Sequence, residues 1–424
     1  MLQGVRTEHA FVVDPSATLA ANERIRAKIE SGVPVVHLAF GEAGLPVLPA
    51  IAEALARGAP DNAYGSVAGS RAVREAAAGY FERRGLPTAP EQIVFAPGSK
   101  ALLFALLSIL PGDIVLPTPS WVSYAAQAAL AGKRVWRAPI GAEAGGLPEP
   151  AGLERVLAEA RENGGSPGVL VLTLPDNPTG TLASEALLRE VCEICAAHDL
   201  AIVSDEIYRD LTYEPDTFRS PAELLPDRTY VTSGLSKSMA LGGWRVGFVR
   251  LPAGSSTLHA LTGLASEVWS SLAAPMQHAA AFVLDEPAEI RDHVAASRRL
   301  HSVTTRAAHR VLRDAGVECR PPAGAFYLYP DFEPLRPQLA ALDAHTGAEL
   351  AELLLERFEI AVLSGEAFGD EPGGLRFRMA TSLLYGANDA ERWESLRSDD
   401  PTALPWIRSA LDRLGDALAD IQSA

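Results

Sequence analysis

The chain holds few of the groups that build covalent or membrane-bound architectures. Its three cysteines, Cys192, Cys195 and Cys319, are too sparse and odd in number for a disulfide framework, and such usage suits a reducing cytoplasm. Cys192 and Cys195 form a C-x-x-C inside a predicted helix with no second cysteine pair, so they read as helix residues rather than a zinc or redox site. No apolar run approaches the roughly 18 residues of a bilayer span. The longest, Ala101 to Leu110, is broken by Ser108 and ends at Pro111-Gly112-Asp113. The N-terminus carries Glu8, Asp14 and Glu23 and lacks the apolar core of a secretory signal. Positive charge is scarce: 37 Lys and Arg face 53 Asp and Glu, a formal charge of −16. With no basic cluster to offset it, such a surface repels phosphate backbones and excludes nucleic acid as the main partner. The nine histidines form no His-x-x-x-His pair, and no metal site is read.

What is present is a globular composition, 48% apolar and 21% charged, in 424 residues. That length suits two or three domain-sized units. An arm, a helix near Leu19 to Ile29 and a strand Val33 to Phe40 open the chain. From residue 90, short apolar runs (Ile93–Ala96, Ile114–Leu116, Gly168–Leu174, Leu200–Ser204, Thr229–Thr232, Val246–Val249) alternate with helical stretches such as Lys100–Leu110 and Ser184–His198. Strands alternating with helices predict an α/β fold with a mainly parallel sheet flanked by helices. A long helix, Ala288 to Ala315, breaks the alternation. Short strands at Gly324–Tyr329, Ile360–Leu363 and Arg376–Ala380 then suggest a smaller α+β domain. The expected division is 1–48 (arm and part of the small domain), 49–290 (large domain) and 291–424 (small domain). Ser382 to Pro405, rich in charge and carrying Trp393, reads as a surface insertion.

Five segments carry candidate chemistry. In Ser233-Gly234-Leu235-Ser236-Lys237, small residues surround a lysine behind a strand. Burial disfavours an ammonium, and a neutral amine attacks carbonyls. Asp205 closes a buried strand, where ligands bind in open α/β sheets; a carboxylate there can keep a pyridine nitrogen protonated, or simply cap a helix. Tyr208, three residues on, could reach a ring oxygen. Pro175-Asp176-Asn177-Pro178-Thr179-Gly180 is a turn whose Asn177 amide can donate to a phenolate. Ala96-Pro97-Gly98-Ser99-Lys100 joins a strand to a helix, whose free N–H groups suit a phosphate, although it lacks the P-loop spacing. Trp121, after the next strand, could lie on an aromatic ring or simply pack.

Together and in this order, these segments resemble the class I/II aminotransferases, pyridoxal-phosphate enzymes of the fold type that includes aspartate aminotransferase. The resemblance runs from Gly41 to about Ser382, and Gly234 to Gly247 follows the family's lysine-site pattern throughout. It implies a mixed, mainly parallel sheet of the seven-stranded type and pyridoxal 5′-phosphate on Lys237 as a Schiff base. Asp205 would pair with the ring nitrogen, and Asn177 and Tyr208 with the ring oxygen. Trp121 would stack on the ring, and Gly98, Ser99, Lys100, Ser236 and Arg245 would hold the phosphate. Tyr64 would reach the phosphate of a neighbouring subunit, implying a homodimer with shared sites. Arg376 aligns with the arginine that grips the substrate α-carboxylate, with Arg378 as the competing choice and Gly41 offering its backbone. The implied reaction moves an amino group between a 2-amino acid and a 2-oxo acid; a lyase, cyclase or oxidase on the same scaffold is the alternative. Gly41-Glu42-Ala43-Gly44-Leu45-Pro46 departs from the family's Gly-Glu-Pro-Asp, which unsettles a standard acidic preference. Glu366 lies near the expected substrate side or in solvent, and Phe326 and Tyr327 could be core.

Overall fold

A computed structural model describes residues 17–141 and 144–424; the arm expected before them lies outside the described residues. Twelve strands follow in chain order: β1 (Val36–His37), β2 (Ile93–Pro97), β3 (Asp113–Thr118), β4 (Val135–Pro139), β5 (Pro167–Thr173), β6 (Ala201–Asp205), β7 (Thr229–Gly234), β8 (Val246–Arg250), β9 (Tyr327–Leu328), β10 (Ile360–Ala361), β11 (Leu363–Ser364) and β12 (Phe377–Ala380).

Seven of them form one sheet in the order β2-β8-β7-β6-β5-β3-β4. All neighbours are parallel except β8, which runs against both β2 and β7. Helices cover both faces, which explains the near-continuous apolar runs of β5 and β6. Along β3, Ile114 and Leu116 pack on one side with Leu102, Leu103 and Leu106 of the helix Ser99–Ile109. Val115 between them packs on the other side with Leu153, Leu157 and Leu188. From β3 the chain runs outward to β4, then returns to lay β5 on the opposite side of β3. The carboxyl ends of β3 and β5 therefore part from one another, which is where open α/β sheets accept ligands.

The remaining elements build a second core. β11, β12 and β9 form an antiparallel sheet, and β1 pairs with β10. Leu328, Phe377 and Met379 pack there against Leu312 and Leu418. The strand expected over Val33 to Phe40 is reduced to the two residues of β1, after which residues 38–48 run as extended coil towards the sheet ends. The segment from Ser382 to Pro405 is no surface insertion. Tyr385, Leu396 and Ile407 are buried and pack with Leu300 of the long helix Ala288–Asp314, so its aromatic residues belong to a core. Among the described residues, no helix is long and apolar enough to cross a membrane.

Candidate functional site

A cavity of about 520 Å³ opens at the carboxyl ends of the parallel strands. Gly41, Ser99, Lys100, Trp121, Asn177, Asp205, Tyr208, Ser236, Lys237 and Arg245 all line it, although they come from segments spread over two hundred residues. The strand ends bring them together: Thr173 ends β5 and Asn177 follows it, Asp205 ends β6, and Lys237 follows β7.

Asp205 is 4% exposed and held from three sides. Tyr124 donates to its Oδ2 at 2.9 Å and Thr232 to its Oδ1 at 3.2 Å, and the Ile207 N–H adds a third donor. Burial still pushes its carboxyl up to about 6, the hydrogen bonds and the Lys237 charge pulling the other way. Because the Tyr124 proton goes to Asp205, Thr173, 2.7 Å away, donates to the Tyr124 oxygen. A carboxylate so desolvated is primed to receive a cationic N–H.

Lys237 sits on the short helix Leu235–Ser238 and donates to the Gly41 carbonyl. Burial, and next the Arg378 charge, lower its amine to about 8, while Glu42 and Asp205 oppose the shift. About a tenth of this amine is therefore neutral and nucleophilic at pH 7, far more than for an ordinary lysine near 10.4.

At one end of the cavity two cations crowd a helix start. Burial, then the neighbouring Arg245, lowers the Lys100 amine. Arg245 itself takes a left-handed backbone (φ 56°) and donates to the Gly242 carbonyl. Gly98 has φ 89°, and a Cβ there would collide with the Arg245 guanidinium. Two cations, the N-terminus of the helix Ser99–Ile109 and the Ser236 hydroxyl suit a phosphate.

At the other end lies Arg378, 1% exposed. Its guanidinium donates to Asn177 Oδ1 at 3.2 Å and to the Ala39 carbonyl at 2.7 Å, and it lies 4.9 Å from each of the Tyr327 and Phe368 rings. Its buried Nε has no partner among the described residues. Burial makes this charge costly, and an incoming carboxylate would relieve it.

Two expected residues lie elsewhere. Arg376, preferred on sequence for the substrate carboxylate, does not line the cavity. It precedes β12 and is bound by Asp370 (2.6 Å), Glu371 (2.8 Å) and Asp331 (3.1 Å). Arg378, the competing choice, lines the cavity in its place, while the Arg376 guanidinium is already engaged by three carboxylates. Tyr64 is 96% exposed and borders a separate cleft with Trp269 and Ser270. Sequence reasoning did not single out Tyr124 or Thr232, and placed Tyr327 no more firmly than in the core. Nothing in their residue types marks them; only the tertiary packing of a helix start and two strands, which carries Tyr124 and Thr232 to Asp205 and Tyr327 to Tyr208, does. Glu366 lies in the turn Gly365–Phe368 and is not among the cavity-lining residues.

The family profile described as aminotransferase class I and II matches residues 33–383. The aspartate aminotransferase of Bacillus subtilis is 31% identical over 387 residues, covering 87% of this chain and 93% of that protein. The aspartate/prephenate aminotransferase of Cereibacter sphaeroides is 32% identical over 386 residues, with the same coverage of 87% and 93%. Among solved structures, aspartate aminotransferase from Thermus thermophilus with maleate superposes with a TM-score of 0.81 at 28% identity, over 95% of this chain and 97% of that one. Aspartate aminotransferase from Thermotoga maritima gives a TM-score of 0.76 at 25% identity, over 96% and 98%.

Proposed function

The chain belongs to the class I and II aminotransferase family, and from that premise we propose how its cavity transfers an amino group between a 2-amino acid and a 2-oxo acid. One observation carries the reading: the buried Lys237 amine, lowered to about 8, and the buried Asp205 carboxylate share a cavity with a two-cation cradle at one end and, at the other, Arg378, whose Nε has no partner among the described residues. That donor set fits pyridoxal 5′-phosphate, whose protonated ring, when bound, accepts the electrons left as a substrate Cα–H bond breaks.

Lys237 Nζ would hold the cofactor through its aldehyde group and, when free, would take the proton from the substrate Cα. Asp205 holds a proton on the ring nitrogen, with Tyr124 and Thr232 keeping the carboxylate charged and oriented. Asn177 and Tyr208 donate to the ring oxygen, and Trp121 covers the ring. Gly98, Ser99, Lys100, Ser236 and Arg245 hold the phosphate. Arg378 takes the α-carboxylate of either substrate, helped by the Gly41 backbone, and so sets which bond to Cα faces Lys237. Tyr64, so exposed on a single chain, would complete the phosphate site of a second copy in a homodimer. The large sheet thus supplies cofactor groups, and the segments before residue 49 and after 290 supply substrate contacts.

The test is a screen of amino donors, beginning with aspartate because the relatives carry that name, against several 2-oxo acids with cofactor-loaded protein. The expected result is amino transfer that requires an acceptor. Release of ammonia without any acceptor would instead support a lyase or oxidase.

A further inference from the structure

Tyr327 enters the cavity from β9. Its ring is buried, yet its hydroxyl faces another: Tyr327 Oη and Tyr208 Oη lie 2.7 Å apart, with the rings edge to face at 5.5 Å between centroids. A Cβ at Gly41 would collide with the same Tyr327 oxygen, so the loop that receives the Lys237 amine is shaped around this phenol. The surround is apolar, made by Ala43, Leu211, Phe326 and Ala380.

Two facing hydroxyls share one hydrogen bond and have one proton left over. The charges nearby decide which phenol keeps the spare proton. Arg378 lies over the Tyr327 ring at 4.9 Å, and a cation there makes that O–H the stronger donor. Asp205 adds negative potential at Tyr208, which makes the Tyr208 oxygen the better acceptor. Lys237 stands 5.9 Å from the Tyr208 ring, and Arg378 also reaches Tyr208 more weakly. Burial raises both phenols, so neither ionises near neutral pH. That polarity favours a bond from Tyr327 to Tyr208 across the 2.7 Å gap, which would leave the Tyr208 proton to point into the cavity.

Resting on the cofactor reading above, we propose that Tyr327 is a positioning residue: its O–H donates to Tyr208, fixing the Tyr208 proton on the cofactor ring oxygen and strengthening that second bond. No proton changes oxygen in this arrangement. Hydrogen bonds in a chain polarise one another by about 10–30% each. The pair holds the ring oxygen as its anion, and so favours loss of the proton from the lysine–cofactor linkage.

The experiment is a pH titration of the visible absorption of cofactor-loaded protein. Tyr208→Phe removes a hydrogen bond to a charged oxygen and should raise the midpoint by about 1–2 pH units. Tyr327→Phe should raise it by roughly 0.1–0.6 unit, the fraction a relay contributes. In the Tyr208→Phe background, Tyr327→Phe should move it no further. Incorporating 3-fluorotyrosine at position 327, a stronger donor of nearly the same shape, should lower the midpoint, a change of sign that altered packing does not produce. An unmoved midpoint in both position-327 proteins, or a Tyr327→Phe shift that persists in full without the Tyr208 hydroxyl, overturns the proposal. If Tyr327→Phe does not load cofactor, the fluorotyrosine protein decides. A wild-type protein that shows no pH-dependent visible band overturns the cofactor reading itself, a result distinct from these.

Discussion

Arg378 Nη1 donates to Asn177 Oδ1 across 3.2 Å, tying the small antiparallel sheet to the loop after β5. That bond sets the orientation of a guanidinium whose Nε has no partner among the described residues, and it links the Arg378 end of the cavity to the Asn177 side. A ligand carboxylate taken by Arg378 is thereby registered against whatever Asn177 holds.

Arg378→Lys keeps the charge but loses the planar fork and the contact with Asn177. Two charge-assisted hydrogen bonds of about 1.5–3 kcal/mol each are at stake, so kcat/KM should fall roughly 10²- to 10⁴-fold for amino donor and acceptor alike. Cofactor content should stay near wild type. Arg376→Ala should leave kcat/KM within a few-fold and instead lower the melting temperature, because Asp331, Asp370 and Glu371 lose their shared cation. Steady-state kinetics and thermal melts on the two variants decide between them, and a reversed outcome would return the substrate contact to Arg376.

The two arginines show how far the sequence can be read. The alternation of buried strands and helices, and the positions of Asp205, Asn177 and Lys237 at strand ends, were legible because a parallel sheet writes its own pattern. In Leu375-Arg376-Phe377-Arg378, motif position favours the first arginine, and two arginines two residues apart have no local signal to separate them. What separates them is distant in the chain: the turn Gly365–Phe368 and the residues after it bring Asp370 and Glu371 to Arg376, while the register of β12 against β11 leaves Arg378 facing Asn177. The Tyr124 bond to Asp205 was illegible for the same reason, since it joins a helix start to a strand end 81 residues away.

Asp205→Asn keeps the side-chain shape and its donors' positions but removes the charge opposite the ring nitrogen. Cofactor affinity should change less than tenfold, while turnover falls by roughly 10²–10³-fold, the usual consequence of losing one preorganised electrostatic contact. Cofactor titration and single-turnover rates measured on the same preparation test this. Turnover near wild type would exclude Asp205 from the electron-accepting role.

Gly98→Ala tests the phosphate cradle without removing a charge. The backbone there is left-handed, and the added methyl collides with the Arg245 guanidinium. Strain of about 1–3 kcal/mol should appear as a five- to hundredfold weaker grip on pyridoxal phosphate. Pyridoxal without its phosphate should bind the variant and the parent almost equally, because it never used the cradle. Equal losses for both compounds would mean that the substitution damages the fold rather than the anion site.

The Lys237 amine, lowered to about 8 by burial and then by Arg378, sets the pH at which the apoprotein captures the aldehyde. Only the neutral amine reacts, so the capture rate should rise about tenfold per pH unit below 8 and level off above roughly pH 9, whereas an ordinary lysine near 10.4 would keep climbing. Arg378→Met removes a cation that favours the neutral form, and the midpoint should move upward. Borohydride reduction followed by peptide mapping should place the pyridoxyl group on position 237, and Lys237→Ala should abolish the label. A label that maps to Lys100 instead, or a capture rate still rising steeply past pH 10, would show that the reactive amine is not the one buried beside Asp205.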